Sequence, residues 1–255
     1  MPYFEVEFSG YLYSKWPLSK GIELADCCFT SGREDRQFTV HTEIDAQNEE
    51  QARKNGLESC FDAVHLLEFC IGESVYLDER QYRIRTKESE VTTGGKAFSI
   101  NALLVKDSPL IEEQLKKVEM AQNTLKSEQD PERKKSLLRA IRWQALGRRE
   151  TKSQVDRFIK FWIALEILVE GKGEKLVKKV TDKLLILYPS CRKEKIRYIV
   201  KRICGVRGAI VHSGVLKPQS VEEKLKQLEA ILNDLLGQRL GLSFKAFAQQ
   251  YLLQL

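Results

Sequence analysis

Apolar and polar residues alternate along much of the first hundred residues, with the period of two that is typical of half-buried β-strands. The alternation is clearest in the Phe-Glu-Val-Glu-Phe run at 4–8, and it predicts further strands at 22–30, 37–44, 74–85 and 98–105. Between the predicted strands at 37–44 and 74–85, the apolar spacing becomes helical from Asp45 to Gly72. Residues 1–108 are therefore predicted to form a small α+β unit, with four or five strands packed on one helix.

The strand pattern ends at Ser108-Pro109, and helical periodicity follows. Apolar stripes that are bounded by capping residues, proline or glycine predict helices at 110–126, 131–147, 153–170, 174–187, 193–213, 221–236 and 244–255. Residues 109–255 are therefore predicted to be an all-helical domain, and the whole chain belongs to the α+β class.

Charge divides the chain at the same place. Residues 1–110 contain 12 basic and 19 acidic side chains, a net charge of −7, whereas residues 111–255 contain 30 basic and 17 acidic ones, a net charge of +13. Such asymmetry predicts two units with different partners, of which the basic unit suits a polyanion. The acidic unit is interpreted as a sensor or regulatory module.

Other features narrow the class of protein. The N-terminus lacks the basic-then-apolar layout of a signal peptide, and the most apolar helical stretch, 158–169, is short and interrupted by Lys160 and Glu166. The six cysteines form no C-x-x-C motif and have no histidine at zinc-finger spacing. We therefore expect a cytoplasmic protein that has free thiols, no membrane span, no bound metal and no cofactor.

Three stretches of the helical part share a pattern with a known superfamily. They read Ala-Ile-Arg-Trp at 140–143, Asp-Arg-Phe-Ile-Lys-Phe-Trp-Ile-Ala-Leu-Glu at 156–166, and Val-Arg-Gly-Ala-Ile-Val-His-Ser-Gly at 206–214. In this order and at this separation, they resemble the Apea-like branch of the HEPN superfamily. The resemblance implies a bundle of four or five helices, usually dimeric, in which an Arg and a His line a cleft at the dimer interface. Arg207 and His212 occupy those two positions here.

The same resemblance implies a function. Many HEPN proteins are metal-independent endoribonucleases of toxin–antitoxin, abortive-infection or other antiviral systems, whereas others have lost catalysis and serve as RNA-binding or dimerisation modules. The expected partners are therefore RNA, a second copy of the chain, and an antitoxin or other regulatory protein.

Arg207 and His212 match what RNA cleavage without a metal requires. Histidine transfers protons near neutral pH, and the permanently charged fork of arginine suits phosphoryl oxygens. Five positions rotate an α-helix by about 140°, so the two residues do not share one face. A long Arg side chain, a helix loosened at Gly205 and Gly208, or a two-fold dimer would bring both to one phosphate.

Two further residues bear on this reading. Gly208 stands where active members of the superfamily commonly carry a polar residue, which favours slower or lost catalysis. Glu166 interrupts an apolar helix and needs a partner if it is buried. We expect it to pair with a nearby base such as Arg207, in a supporting role.

Basic residues are concentrated ahead of the Arg/His pair. Between Lys172 and Arg207 there are twelve Lys or Arg residues and three acids. A solvated bundle face is the plain alternative, but so large a local excess favours phosphate contact. The predicted RNA-binding residues are Lys175, Lys178, Lys179, Lys201 and Arg202.

Three hypotheses follow. The leading one is a HEPN-type endoribonuclease that leaves 2′,3′-cyclic phosphate ends and acts as a toxin or antiviral defence effector. The second is a non-catalytic RNA-binding or dimerisation module on the same fold. The third is a homodimeric interaction protein whose basic helices contact an acidic protein or the acidic N-terminal unit of a neighbouring copy. Salt-dependent RNA binding would separate it from the second.

Overall fold

The chain folds into two compact units, Met1–Lys126 and Ser127–Leu255. The computed structural model describes residues 3–12, 21–31, 37–72, 74–86, 90–91, 112–213, 218–247 and 250–251. Each unit has its own apolar core, and each is described below by itself.

The first unit contains one antiparallel sheet of six strands. The strands are β1 (Tyr3–Leu12), β2 (Ile22–Leu24), β3 (Cys27–Ser31), β4 (Gln37–Asp45), β5 (Val75–Thr86) and β6 (Glu90–Val91). Their spatial order is β2-β3-β4-β1-β5-β6, so the N-terminal strand is central. Every pairing within the sheet is antiparallel.

The alternation predicted for the first strand is observed. Phe4, Val6 and Phe8 of β1 are buried, and the residues between them are only partly covered. Helix α1 (Glu49–Ile71) packs on the sheet so closely that a Cβ at Gly56 would lie 2.8 Å from the Cβ of Val6. This sheet-on-helix packing, together with the helices described below, confirms the predicted α+β class.

The stretch predicted as one strand at 22–30 is two strands joined by a tight turn. Ala25 and Asp26 have φ angles of 50° and 65°, which is the left-handed backbone of a two-residue type I′ hairpin turn. The turn is held from outside the hairpin: the Ala25 N–H donates to Gln122 Oε1 at 3.0 Å, and the Thr42 hydroxyl donates to the Asp26 carbonyl at 3.1 Å. The sequence has no Asn-Gly signal at this turn. These contacts from distant residues stabilise the turn instead.

The start of α1 also differs from the prediction. Asn48 caps the helix and accepts the Gln51 N–H at 2.9 Å, whereas Asp45 is the last residue of β4. Its predicted end is confirmed, since Gly72 has a φ of 74° and donates its N–H to the Glu68 carbonyl.

Helix α2 (Glu112–Ser127) belongs to the first unit through residue 126. Its buried face contains Val118, Ala121 and Leu125, and Gln114 Nε2 donates to the Ile71 carbonyl at 2.9 Å. Helix α2 is therefore part of the first unit, together with the sheet and α1. The boundary predicted between residues 108 and 109 and the strand predicted at 98–105 lie outside the described residues.

The described elements of the second unit are all helices. They are α3 (Pro131–Arg149), α4 (Gln154–Val169), α5 (Gly173–Leu187), α6 (Lys193–Ser213) and α7 (Pro218–Arg239). Capping explains two of the starts: Asp130 accepts the N–H groups of Glu132 and Arg133, and Ser153 accepts that of Asp156. Most of the last predicted helix, 244–255, lies outside the described residues.

Helix α4 lies at the centre of this core. Phe158, Phe161 and Leu165 are fully buried among apolar residues of α5, α6 and α7. Helix α3 approaches so closely that a Cβ at Gly147 would lie 2.5 Å from the Phe161 ring. The aromatic run that carries part of the HEPN resemblance is therefore the core of the bundle.

The carboxylate of Asp234, on α7, holds the chain after α7 against the bundle through hydrogen bonds. Asp234 is buried and accepts hydrogen bonds from the Tyr188 hydroxyl and from the backbone N–H groups of Ala246 and Phe247, at 2.7 and 2.8 Å. Burial raises the pKa of Asp234, while these three hydrogen bonds act in the opposite direction.

Candidate nucleic-acid interface

A groove of about 380 Å³ lies between helices α5 and α6, and seven of its nine lining residues carry a charge. From α5 it is lined by Glu174, Lys175, Val177, Lys178, Thr181 and Asp182, and from α6 by Lys193, Arg197 and Lys201. We call it the α5–α6 groove. Five cations and two carboxylates leave it positively charged, as phosphate binding requires.

Helical periodicity explains why these residues meet. Lys175, Lys178 and Asp182 follow one another at three- and four-residue spacing along α5, so they share one side of that helix. Arg197 and Lys201 are likewise four apart on α6. Across the groove, Lys193 Nζ lies 3.8 Å from Asp182 Oδ1, and both side chains are about half exposed. This surface ion pair is weak, and the carboxylate of Asp182 partly offsets the positive charge of Lys193 in the groove.

The predicted RNA-binding lysines of α5 divide between two sides. Lys175 and Lys178 line the α5–α6 groove, whereas Lys179 donates to the Glu170 carbonyl, at the end of α4, at 2.8 Å. Lys183 is on this second side too: burial lowers its pKa, and nearby Arg239 lowers it further. Lys179 therefore has a structural contact that its neighbour lacks.

On α6, Lys201 lines the groove but Arg202 does not. The guanidinium of Arg202 lies 5.6 Å from the centre of the Tyr198 ring, which is within the range of cation–π contacts. Arg202 is also near Glu223 of α7, whose pKa is lowered first by its hydrogen bond to Lys224 and also by the charge of Arg202.

Arg207 is half-buried on α6, in the neighbourhood of Cys204 and Glu166. Burial raises the pKa of the Cys204 thiol to about 11, the charge of Arg207 lowers it, and that of Glu166 raises it. Glu166 Oε1 accepts the indole N–H of Trp162 at 2.8 Å. Among the described side chains, the hydrogen-bond partner of Glu166 is thus Trp162, one turn earlier on α4, rather than the predicted Arg207.

His212 belongs to α6 by its backbone, one residue before the helix ends, but its side chain lies outside the described part of the structure. Helical register places position 212 about 60° around the axis from Arg197 and about 20° from Lys201, on the side of α6 that borders the groove. Position 207 is turned about 140° away from it.

Gly205 and Gly208 lie between Lys201 and position 212 on that same side. A Cβ at either glycine would meet no described atom within 4 Å. The bare backbone is therefore open along the surface that leads from the groove towards His212.

Several groove residues are not among the five predicted RNA-binding residues. Lys193, Arg197 and Asp182 line it, and Tyr198 directly follows Arg197 on α6. The three- and four-residue spacings were available as a signal. The pairing of α5 with α6 was not, because it depends on tertiary packing.

The described residues contain no group of three His, Cys, Asp or Glu side chains placed to hold a metal ion. In the same part of the chain, no helix combines the length and the apolarity needed to cross a lipid bilayer.

Comparison with protein-family models, with curated proteins and with solved structures finds no match for this chain.

Proposed function

We propose that the second unit binds RNA in the α5–α6 groove and cleaves it without a metal ion. The observation that carries the proposal is the groove itself, in which five cations from α5 and α6 line one concave surface. Helix α6 also contains Arg207 and His212. Phosphate neutralisation by clustered Lys and Arg residues is the main source of affinity in proteins that bind nucleic acids.

The proposed cleavage needs only groups of this chain. The 2′-hydroxyl of the RNA attacks the adjacent phosphorus while its proton passes to a base, and an acid protonates the departing 5′-oxygen. His212 transfers these protons, and Arg207 stabilises the charge of the phosphorane. In a homodimer, two copies of each residue would be available to supply both the acid and the base. The products are a 2′,3′-cyclic phosphate and a free 5′-hydroxyl.

The role proposed in the cell is that of a toxin or antiviral defence effector, in which the acidic first unit senses a trigger or receives an antitoxin. It is supported by the HEPN resemblance and by the opposite net charges of the two halves of the chain.

A second candidate function is RNA binding without cleavage. It is favoured by Gly208, which places no polar group after Arg207, and by the half-buried position of Arg207, whose charge acts on the Cys204 thiol. The same groove would then hold RNA for a partner or serve in assembly.

Incubation of mixed RNA with the full-length protein in EDTA separates the two candidates. We expect wild-type protein to cleave RNA to cyclic phosphate ends and to bind single-stranded DNA without cutting it, because DNA lacks the 2′-hydroxyl. His212→Ala and Arg207→Ala should each slow cleavage by about a hundredfold or more. His212→Ala should retain RNA binding, and Gly208→Asn should cleave at least as fast as wild type.

Two results would reject this mechanism: full activity in His212→Ala, or a strict requirement for magnesium. Salt-sensitive RNA binding by wild-type protein with no cleavage of any RNA would establish the second candidate instead.

A further inference from the structure

Tyr198 is an exposed aromatic residue inside a cluster of cations. Its relative exposure is 60%, although it is a large residue on a helix whose other side, at Ile196 and Val200, is fully part of the core. Its neighbours on the helix surface, three and four positions away, are Glu194, Lys195, Lys201 and Arg202, and Arg197 precedes it in the sequence. Tyr198 therefore makes no large contribution to the core and leaves an exposed aromatic ring on a basic surface of α6.

We propose that Tyr198, with Arg202 beside it, is a stacking platform for an unpaired base of single-stranded RNA whose phosphates lie in the α5–α6 groove. The proposal rests on the RNA-binding function proposed above and specifies the class of RNA that the groove accepts.

The geometry of α6 allows one nucleotide to contact both the Tyr198 ring and the α5–α6 groove. Arg197 and Lys201 line the groove, and they stand one and three positions from Tyr198, within about 5 Å along the axis of α6. A nucleotide whose phosphate contacts these cations would therefore have its base within reach of the ring. Arg202, 5.6 Å from the ring centre, adds a planar cation on which a base can also stack.

Stacking on an exposed ring selects the form of the nucleic acid more than its sequence. Every base has a π-face, so the platform tolerates any sequence, but in a duplex those faces are covered by neighbouring base pairs. The basic groove alone would accept single-stranded and duplex RNA alike. The addition of Tyr198 therefore makes single-stranded segments the preferred ligand.

The test is a fluorescence-anisotropy titration of the full-length protein with three labelled probes of equal length, each 2′-O-methylated so that the proposed cleavage cannot occur. They are a single-stranded RNA of mixed sequence, the same RNA with abasic sites throughout, and its blunt duplex. The abasic probe keeps the phosphates and lacks the bases, so it measures the groove without the platform. The variants are Tyr198→Leu, which keeps an apolar side chain without a π-face, and Tyr198→Phe, which keeps the ring. Tyr76→Leu, at an exposed tyrosine of the first unit, is the matched control.

We expect wild-type protein to bind the intact single strand about tenfold more tightly than the abasic probe. Tyr198→Leu should lose that advantage, while its affinity for the abasic probe and the salt dependence of binding should stay unchanged. Tyr198→Phe and Tyr76→Leu should behave as wild type. Since the comparison of intact with abasic RNA needs no variant, the test holds whatever a substitution does to folding.

Three outcomes would overturn the stacking proposal. Equal binding of intact and abasic RNA by wild-type protein would reject the platform and leave the RNA-binding groove intact. A loss of affinity in Tyr198→Phe equal to that in Tyr198→Leu would show that the hydroxyl, rather than the ring, makes the contact. If wild-type protein binds none of the probes, the proposed function fails together with the platform.

Discussion

Lys178 and Lys179 are adjacent in the sequence, but their side chains serve different sides of helix α5. Lys178 lines the α5–α6 groove, whereas Lys179 Nζ donates to the Glu170 carbonyl at 2.8 Å. Substitutions at the two positions change the net charge of the protein equally. They therefore form a matched pair that separates contact in the groove from the attraction of the whole basic unit.

Reversing the charge at Lys178 should weaken RNA binding more than the same change at Lys179. We expect Lys178→Glu to reduce the slope of log affinity against log salt by about one phosphate's worth, and Lys179→Glu to change it by less. Anisotropy titrations over a range of salt concentrations measure both slopes, and thermal melting checks that each variant is folded. Equal slopes for the two variants would place the RNA elsewhere on the unit.

Removing the acidic partner of Lys193 should have the opposite effect. Asp182→Asn abolishes the 3.8 Å ion pair across the groove and frees the ammonium of Lys193 for phosphate. We expect RNA affinity to rise about two- to threefold at low salt, and the gain to disappear at high salt, where exposed charges are screened. Weaker binding by Asp182→Asn would mean that the pair positions Lys193 instead of competing for it.

The buried carboxylate of Asp234 should be important for stability and irrelevant to RNA. Asp234→Ala leaves the Tyr188 hydroxyl and two backbone N–H groups without their acceptor, so we expect the free energy of unfolding to fall by about 3 kcal/mol. Tyr188→Phe removes one donor and should cost about 1 kcal/mol. Urea denaturation provides the values, and a cost for Asp234→Ala no larger than that for Tyr188→Phe would contradict the role of the carboxylate as an anchor.

The thiol of Cys204 should make the stability of the bundle depend on alkaline pH. Burial raises its pKa from 9.0 to about 11, with Arg207 acting to lower it and Glu166 to raise it. Because the folded pKa is the higher one, the protonated thiol contributes fully below pH 9, and its contribution is lost as the pH rises towards about 11. The free energy of unfolding should therefore fall more steeply over this interval in wild type than in Cys204→Ala. Parallel curves would show that partial burial does not raise the pKa of this thiol.

Local signals in the sequence predict much of this fold, because they act over a few residues. Ser153 marks the start of α4 by capping it, and Gly72 marks the end of α1 by adopting a positive φ. The hairpin turn at Ala25 and Asp26 was missed because its stabilising contacts come from residues far along the chain. Alternation alone cannot distinguish one strand from two that are joined by a two-residue turn.

The groove shows the same limit. The excess of Lys and Arg near α5 and α6 is visible in the sequence, and Lys175, Lys178 and Lys201 do line one surface. Lys179 was grouped with them because its spacing from Lys175 also fits one helix face. Only the folded structure shows that Lys179 instead donates a hydrogen bond to the Glu170 carbonyl at the end of α4. Composition predicts that a basic surface exists, whereas tertiary packing decides which cations share it.

Gly205 and Gly208 represent folding stability that this chain does without. Neither has a positive φ, and among the described atoms none lies within 4 Å of a Cβ added at either position. Alanine in place of each would favour the helix by about 1 kcal/mol. A designer who optimised the bundle for heat resistance alone would replace both, at the end of α6 that carries Arg207 and His212. Replacing the two glycines would therefore stabilise the helix, but it would cover the bare backbone at this end of α6. The protein cannot have both the extra stability and the open backbone at these positions.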